Sequence, residues 1–322
     1  MPAPALALAA RPLAGLRVAY LAFESFPNAK GSGTRITAMT SALAGAGAEL
    51  HLVTLPSRRA TPPGAAPEGV TLRPLHVLHD NFLARALAFQ RAAARALMAL
   101  RPDVVHFRGV FEGAAALSYA RARGVPAIFE VNGLPSVELQ YHHPAVGEAL
   151  ELQARLREQE RRCLAAATRV ITQSETTLEF LRGRGLPLAT PATVIRNAAD
   201  PERFRPACPE IPARGSAPEV LYVGTVAPWQ GVAELLMATR RCLRERPMRL
   251  TIAGPARRRW QRQLARACRR LKISDAVELT GPLGRRALAD RIARATVCAA
   301  PLRRDVRNKH QGCCPIKLYE YM

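Results

Sequence analysis

The chain has 322 residues, with 47 Lys and Arg against 25 Asp and Glu, a formal charge of +22. Its 48 % hydrophobic content fills one large core or two ordinary ones, which excludes a disordered tail protein. No run of about 18 uncharged apolar residues occurs, which excludes a transmembrane helix within these residues.

Pro2–Ala10 has the apolar character of a signal peptide. No basic residue precedes it and Arg11-Pro12 follows at once, so residues 1–15 read as a disordered leader. Seven cysteines, two of them adjacent at Cys313-Cys314, form neither a disulfide framework nor a CxxC metal spacing. The expectation is a reduced, cytoplasmic protein without a metal site. A charge of +22 suggests nucleic acid or an anionic surface as partner. However, only four of the 47 basic residues are Lys (30, 272, 309 and 317), and Arg, Ala, Gly and Pro share GC-rich codons. Genome composition therefore competes as the explanation. The charge is also uneven: residues 1–200 hold 22 basic and 15 acidic residues, and residues 201–322 hold 25 and 10.

In chain order, Leu16–Phe23 is a short apolar run suited to a buried strand, followed by a loop over Glu24–Thr34. A helical stripe of Ile36, Met39, Leu43 and Ala46 spans 34–46, and Leu50–Leu55 is a second strand. The alternation continues with a strand at 70–77, a helix at 82–100, a strand at 103–107 and a helix at 113–123. A strand at 126–131, a long helix at 145–166 and a strand at 169–173 close the series. Such alternation implies an open, mainly parallel α/β sheet. Prolines crowd between 199 and 218, so 201–218 reads as an interdomain linker. Strand and helix then alternate again over 220–223, 232–244, 249–252, 257–271, 277–280, 287–295 and 296–301. The predicted architecture is two Rossmann-like doubly wound domains, 16–200 and 219–322. The last helix begins at Pro315 and stops after about two turns without a capping signal, so a C-terminally truncated second domain is expected.

Two segments offer chemistry. Gly31, Ser32, Gly33 and Thr34 lie between the first strand and helix, where glycines admit a ligand and helix amides favour anions. The loop is neither a Walker loop nor a GxGxxG fingerprint. At the far end, Gly312, Cys313 and Cys314 precede a helix carrying Lys317 and Glu320 three residues apart. One reading is a surface ion pair. The other is a cation for a diphosphate and a carboxylate for the paired hydroxyls of a ribose. His106 on its strand reads as a packed core histidine, and Trp229 beside Gly231 as either a wall of the site or packing. Arg258, Arg262, Arg266 and either Arg269 or Arg270 form one cationic stripe, whose simplest reading is a solvated helix face.

Asp103–Phe107, Val170–Glu175, Val194–Asp200, Val223–Gly231 and Pro315–Met322, taken in order and spacing after a strand and glycine loop, resemble a known family. They are similar to the retaining GT-B glycosyltransferases of family 4, also called group 1, from about Leu16 onward. Glu130–Leu139 further resembles members found in exopolysaccharide and cell-surface glycan clusters. The resemblance implies a nucleotide-diphospho-sugar donor on the C-terminal domain and a glycan or lipid-linked acceptor on the N-terminal one. Retention is expected without a metal, the leaving phosphate taking the acceptor proton; no cofactor is implied, the nucleotide-sugar being substrate.

On this reading Glu320 matches the ribose-binding second acid of an E-x7-E motif, whose first acid falls at Gly312. Thr225 and Gln230, after Gly224, stand where many members carry an Arg and a Lys for the diphosphate; Lys317, Arg303 or Arg304 would replace them. Glu130 stands where many members carry a His near the transferred sugar. Gly31, Ser32, Gly33, Thr34, Asn132 and Asn197 fall on the acceptor side. Peripheral contact with an anionic membrane surface is compatible with the charge. The rival readings are a GT-B nucleotide-sugar epimerase or hydrolase, and a non-catalytic basic protein that binds nucleic acid or membrane. No helix-turn-helix, RNP or zinc-finger pattern supports nucleic acid.

Overall fold

The computed structural model describes residues 11–57, 66–184, 191–206 and 217–322. The leader assigned to 1–15 lies outside them apart from 11–15, and the linker assigned to 201–218 apart from 201–206 and 217–218. The chain divides into two compact units. One comprises residues up to Asn28 with Gly33–Ile195, and the other Ala29–Ser32 with Arg196–Met322.

The first unit runs β1 (Arg17–Phe26), α1 (Gly31–Gly45), β2 (Glu49–Pro56), β3 (Val70–Pro74), α2 (Phe82–Leu100), β4 (Val104–Phe107) and α3 (Val110–Arg123). It continues with β5 (Ala127–Val131), α4 (Pro135–His142), α5 (Ala145–Glu148), α6 (Leu150–Ala166), β6 (Arg169–Thr172), α7 (Glu175–Gly183) and β7 (Ala192–Val194). All seven strands pair in parallel in the order β3-β2-β1-β4-β5-β6-β7, a doubly wound sheet whose order reverses between β1 and β4. Helices cover both faces of such a sheet, which is why β1 is buried without interruption from Val18 to Ala22. On one face α2 buries Ala86, Phe89, Ala93 and Leu97 at helical spacing against Val105, Phe107 and Phe129. The rings of Phe107 and Phe129 stack at 4.8 Å. On the other, Ile36 of α1 packs with Val18, Tyr20 and Leu50.

The second unit runs β8 (Glu219–Val223), a 3-10 turn (Pro228–Gln230), α8 (Val232–Cys242), β9 (Arg249–Ala253), α9 (Arg258–Leu271) and β10 (Val277–Gly281). It ends with α10 (Arg285–Arg294), β11 (Val297–Cys298), a π turn (Val306–Gln311) and α11 (Ile316–Tyr321). Its four strands are again parallel, in the order β10-β9-β8-β11, with the reversal between β8 and β11. One face holds Leu235, Leu236, Leu250, Ile252 and Leu264; the other holds Leu221, Val223 and Ala253 beneath α10.

The structure departs from the sequence reading at several elements. Helix α1 begins at Gly31 and not at Thr34, so Gly31, Ser32 and Gly33 form its first turn and not an open loop. The helix expected over 145–166 breaks at Ala149, whose ψ of 84° leaves the helical region. Two helices, α4 and α7, and the three-residue strand β7 were not foreseen. Strand β3 stops at Pro74 and β11 is two residues long, where longer strands were expected.

Candidate functional site

In the first unit, β5 places Glu130 in the sheet interior with no exposed surface. Its Oε2 accepts the Tyr20 hydroxyl at 2.7 Å and lies 3.0 Å from His106 Nε2. Since a carboxylate only accepts, His106 donates from Nε2. Oε1 accepts from Arg35 Nε at 2.9 Å, and Arg108 Nε stands 3.6 Å away. Burial would raise the Glu130 pKa, but His106, Arg108 and Arg35 overrule it and hold the carboxyl well below the usual range. Burial and the facing Glu130 in turn push the Tyr20 phenol up. The carboxylate that the resemblance puts next to the transferred sugar is thus enclosed by its own unit. It is satisfied by side chains, not by backbone amides.

Arg108 carries the network outward. Its guanidinium and Gln173 Nε2 each donate to Asn132 Oδ1 at 2.6 Å, and Asn132 is exposed. The amide oxygen of Asn132 is committed to the protein, which leaves its NH2 group as the face presented to solvent. Beside this network, where β1 and β4 diverge, Glu112 in the first turn of α3 accepts the Phe23 amide at 2.8 Å.

In the second unit, several expected residues come together at the carboxyl ends of β8 and β11. Lys317 is 7 % exposed; its ammonium donates to Gln230 Oε1 at 2.7 Å and lies 4.1 Å from the centre of the Tyr222 ring. The Tyr222 hydroxyl donates to the Thr225 carbonyl at 3.0 Å and lies 3.2 Å from Gln230 Oε1. Gly224, at φ +138°, closes the cluster: a β-carbon there would stand 3.0 Å from Lys317 Nζ. Only glycine combines that backbone with room for the ammonium. Burial drives the Lys317 pKa down to about 8, against the charges of Cys313 and Glu320. Burial raises the half-buried Glu320, against Lys317 and Arg285. Arg285 is itself lowered by burial and by Arg203, and both Lys317 and Arg285 act on the expected ribose carboxylate.

Gly312 is buried at φ +83°, ψ 160°, a conformation in which the acid that the resemblance implies at this position would be strained. Of the three proposed replacement cations, Lys317 donates to Gln230, Arg303 pairs with Glu234 at 3.1 Å, and Arg304 is exposed. Trp229 is buried, and its carbonyl accepts Asn308 Nδ2 at 2.8 Å and the Arg303 amide at 3.1 Å, so it anchors the loop before α11. Asn197, expected on the acceptor side, falls in the second unit. Its amide N–H donates to Cys314 Sγ at 3.3 Å and its side chain to the Cys314 carbonyl. Cys314 Sγ also meets the Tyr319 hydroxyl at 3.3 Å.

A cavity of about 390 Å³ opens beside this cluster, walled by Val226, Ile252, Leu264 and Leu279, with Gln261 and Arg262 as its polar groups. Gly254, which lines it, packs so closely on the Gly224 carbonyl that no β-carbon fits between them. Tyr222, Arg285 and the cavity were not legible as site features in the sequence. Among the described residues no group of three His, Cys, Asp or Glu side chains is gathered to hold a metal, and no helix is long and apolar enough to cross a membrane.

Two units, each built on a parallel doubly wound sheet, have the architecture of the GT-B fold. Residues 29–203 match the model of Glycosyltransferase Family 4 and residues 217–322 that of Glycosyl transferases group 1. The chain belongs to glycosyltransferase family 4.

Solved structures share the fold. The sucrose-phosphate synthase of Thermosynechococcus elongatus matches with a TM-score of 0.72 at 18 % identity, over 89 % of this chain and 75 % of that one. Anabaena HepE, solved in complex with UDP and glucose, matches at 0.64 and 14 % over 88 % and 74 %. The catalytic domain of starch synthase IV from Arabidopsis thaliana, bound to ADP and acarbose, matches at 0.66 and 16 % over 90 % and 78 %. No curated protein matches the sequence.

Proposed function

We propose that the protein moves a sugar, a hexosyl unit, from a nucleotide-diphospho-sugar to a hydroxyl of a glycan or lipid-linked acceptor, in the cytoplasm, as a step of exopolysaccharide or cell-surface glycan synthesis. The buried Lys317 ammonium, aimed past Gly224 and braced by Gln230 and Tyr222, is the observation that carries this reading. A desolvated cation beside backbone that admits no side chain is built for a compact anion, and the diphosphate is the anion that develops charge as it leaves. Glu320, half-buried three residues along α11, stands ready to accept the paired hydroxyls of a ribose. The neighbouring cavity is assigned to the base, its apolar walls taking the flat faces and Gln261 and Arg262 the polar edge. Binding by nucleotide phosphates in the structural relatives supports the same assignment.

Transfer with retention then needs no pair of opposed carboxylates. The bond from the sugar's anomeric carbon to the phosphate oxygen breaks and the bond to the acceptor oxygen forms on the same face. The acceptor proton passes to the departing phosphate, with Lys317 offsetting its charge and no metal required. In the first unit we assign the exposed amide of Asn132 and the α1 first turn, Gly31–Thr34, to the acceptor side. Glu130 serves as the residue that fixes Arg108, and through it Asn132, in place.

Calorimetric titration with UDP, GDP and ADP tests the donor assignment. Lys317→Met removes a charge-assisted contact and is expected to weaken the preferred diphosphate about 10- to 100-fold. Glu320→Ala is expected to weaken the nucleoside diphosphate but not inorganic diphosphate. Unchanged affinity in both variants, with melting temperatures preserved, refutes the assignment.

A further inference from the structure

We propose that the outer face of α8 and α9 in the second unit docks on the anionic phospholipid headgroups of a bilayer. Helix α9 carries six arginines and no acid, flanked by Arg257 and Lys272, and all eight cations are exposed. Arg258, Arg262, Arg266 and Arg269 recur at three- and four-residue steps on the side away from Leu264 and Cys268, which are buried. At 1.5 Å rise per residue the array is about 20 Å long. Among the described residues no carboxylate lies within ion-pair distance of these cations; Arg259 alone has a neighbour of another kind, its guanidinium 4.8 Å from the Trp260 ring.

An arginine-rich composition does not account for this face. Helix α6 is also rich in arginine, yet Arg155 pairs with Glu151, and Arg161 and Arg162 both pair with Glu158. On α9 the charges also oppose the helix that bears them. Arg258 and Arg259 sit in its first turn, where the dipole disfavours cations, and that turn has neither an acidic residue nor a side-chain cap. Arg258, Arg262, Arg266 and Arg270 repel one another at four-residue spacing. An anionic surface relieves both penalties at once.

The neighbouring helix selects the kind of surface. Helix α8 packs against α9 and exposes Ala233, Glu234, Met237, Ala238, Arg241 and Cys242, with Met237 54 % exposed and Glu234 paired to Arg303. Cations beside an exposed apolar side chain match a lipid interface, where headgroups neutralise the arginines and the thioether reaches the acyl boundary. Arg262 also lines the cavity assigned to the base, whereas Arg258, Arg266 and Arg269 do not, so variants at those three test this proposal apart from the donor assignment.

Co-sedimentation of the full chain with vesicles tests it, using phosphatidylglycerol–phosphatidylcholine mixtures against pure phosphatidylcholine at low and high salt. Binding to the anionic vesicles alone, weakened by salt, is expected. Arg258→Glu/Arg266→Glu/Arg269→Glu should lower the partition coefficient about a hundredfold. The matching triple Lys variant should retain binding, which separates charge from folding. Anionic vesicles left unbound, equal binding by the Glu variant, or tighter binding to random duplex DNA than to vesicles at physiological salt would each overturn the proposal.

Discussion

Glu112 and Glu130 are both fully enclosed carboxyls, yet their surroundings drive them apart. Burial raises each; at Glu130 His106, Arg108 and Arg35 reverse the effect, whereas at Glu112 the Phe23 amide and Arg108 do not. The Oε2 atom of Glu112 has no hydrogen-bond partner among the described residues, and its pKa stands at about 7. The folded state therefore keeps a proton on Glu112 between the ordinary carboxyl pKa and about 7, where the unfolded chain has lost it. The stability this proton provides is complete below the unfolded value and is lost as pH rises through 7. Glu112→Gln removes the titration. The variant should gain on the parent between pH 5 and pH 8, by up to about 3 kcal/mol, in urea midpoints converted to free energy. A constant difference across that range would show that the carboxyl is not raised. Removing Glu130 is a different matter: it would strand Arg35 and Arg108 in the interior, a loss of about 3–5 kcal/mol.

Among the elements, capping separates what is robust from what is not. Asn81 Oδ1 accepts the amides of Leu83 at 2.9 Å and Ala84 at 3.1 Å, closing the start of α2, while Arg101 ends it in the left-handed region at φ 49°. Asn81→Ala should lower stability by about 0.5–2 kcal/mol, and Arg101→Gly should raise it by up to about 1 kcal/mol, both read from thermal melts. The same signals explain how much of the fold the sequence disclosed. Helix α2 is legible at its observed bounds, 82–100, because its buried residues keep helical spacing. Helix α1 was entered three residues late because Gly31-Ser32-Gly33 imitates a loop. Helix α4 opens with Ser136 bound to Glu160 of α6, a contact 24 residues distant that no local pattern announces. Lys317 and Glu320 were visible as a pair because one helix carries both. The Glu130 network was not, because Tyr20, Arg35, His106 and Arg108 arrive from β1, α1, β4 and the turn after it.

At the scale of the molecule, the charge of +22 is a load as well as a lure. Pairing relieves part of it, as on α6 and at Arg291, which bridges Glu219 and Glu278 across the second sheet. The remainder, concentrated in residues 201–322, leaves like charges facing solvent, and screening should stabilise the fold. Raising sodium chloride from 50 to 500 mM should lift the melting temperature by about 2–4 °C, the equivalent of roughly 1 kcal/mol in units of this size. A fall with salt would mean that attractive pairs outweigh the repulsion.

The role proposed for Lys317 gives nucleotide capture a thermodynamic signature of its own. With its pKa near 8, the free amine is a mixture of charged and neutral forms in mildly alkaline solution. A docked diphosphate favours the charged form, so binding there draws a proton from the buffer, while at pH 6 it draws almost none. The measured enthalpy then depends on which buffer supplies that proton, and affinity declines as alkalinity increases. A side chain placed to hold an anion thereby makes the protein's grip on its donor answer to the acidity around it.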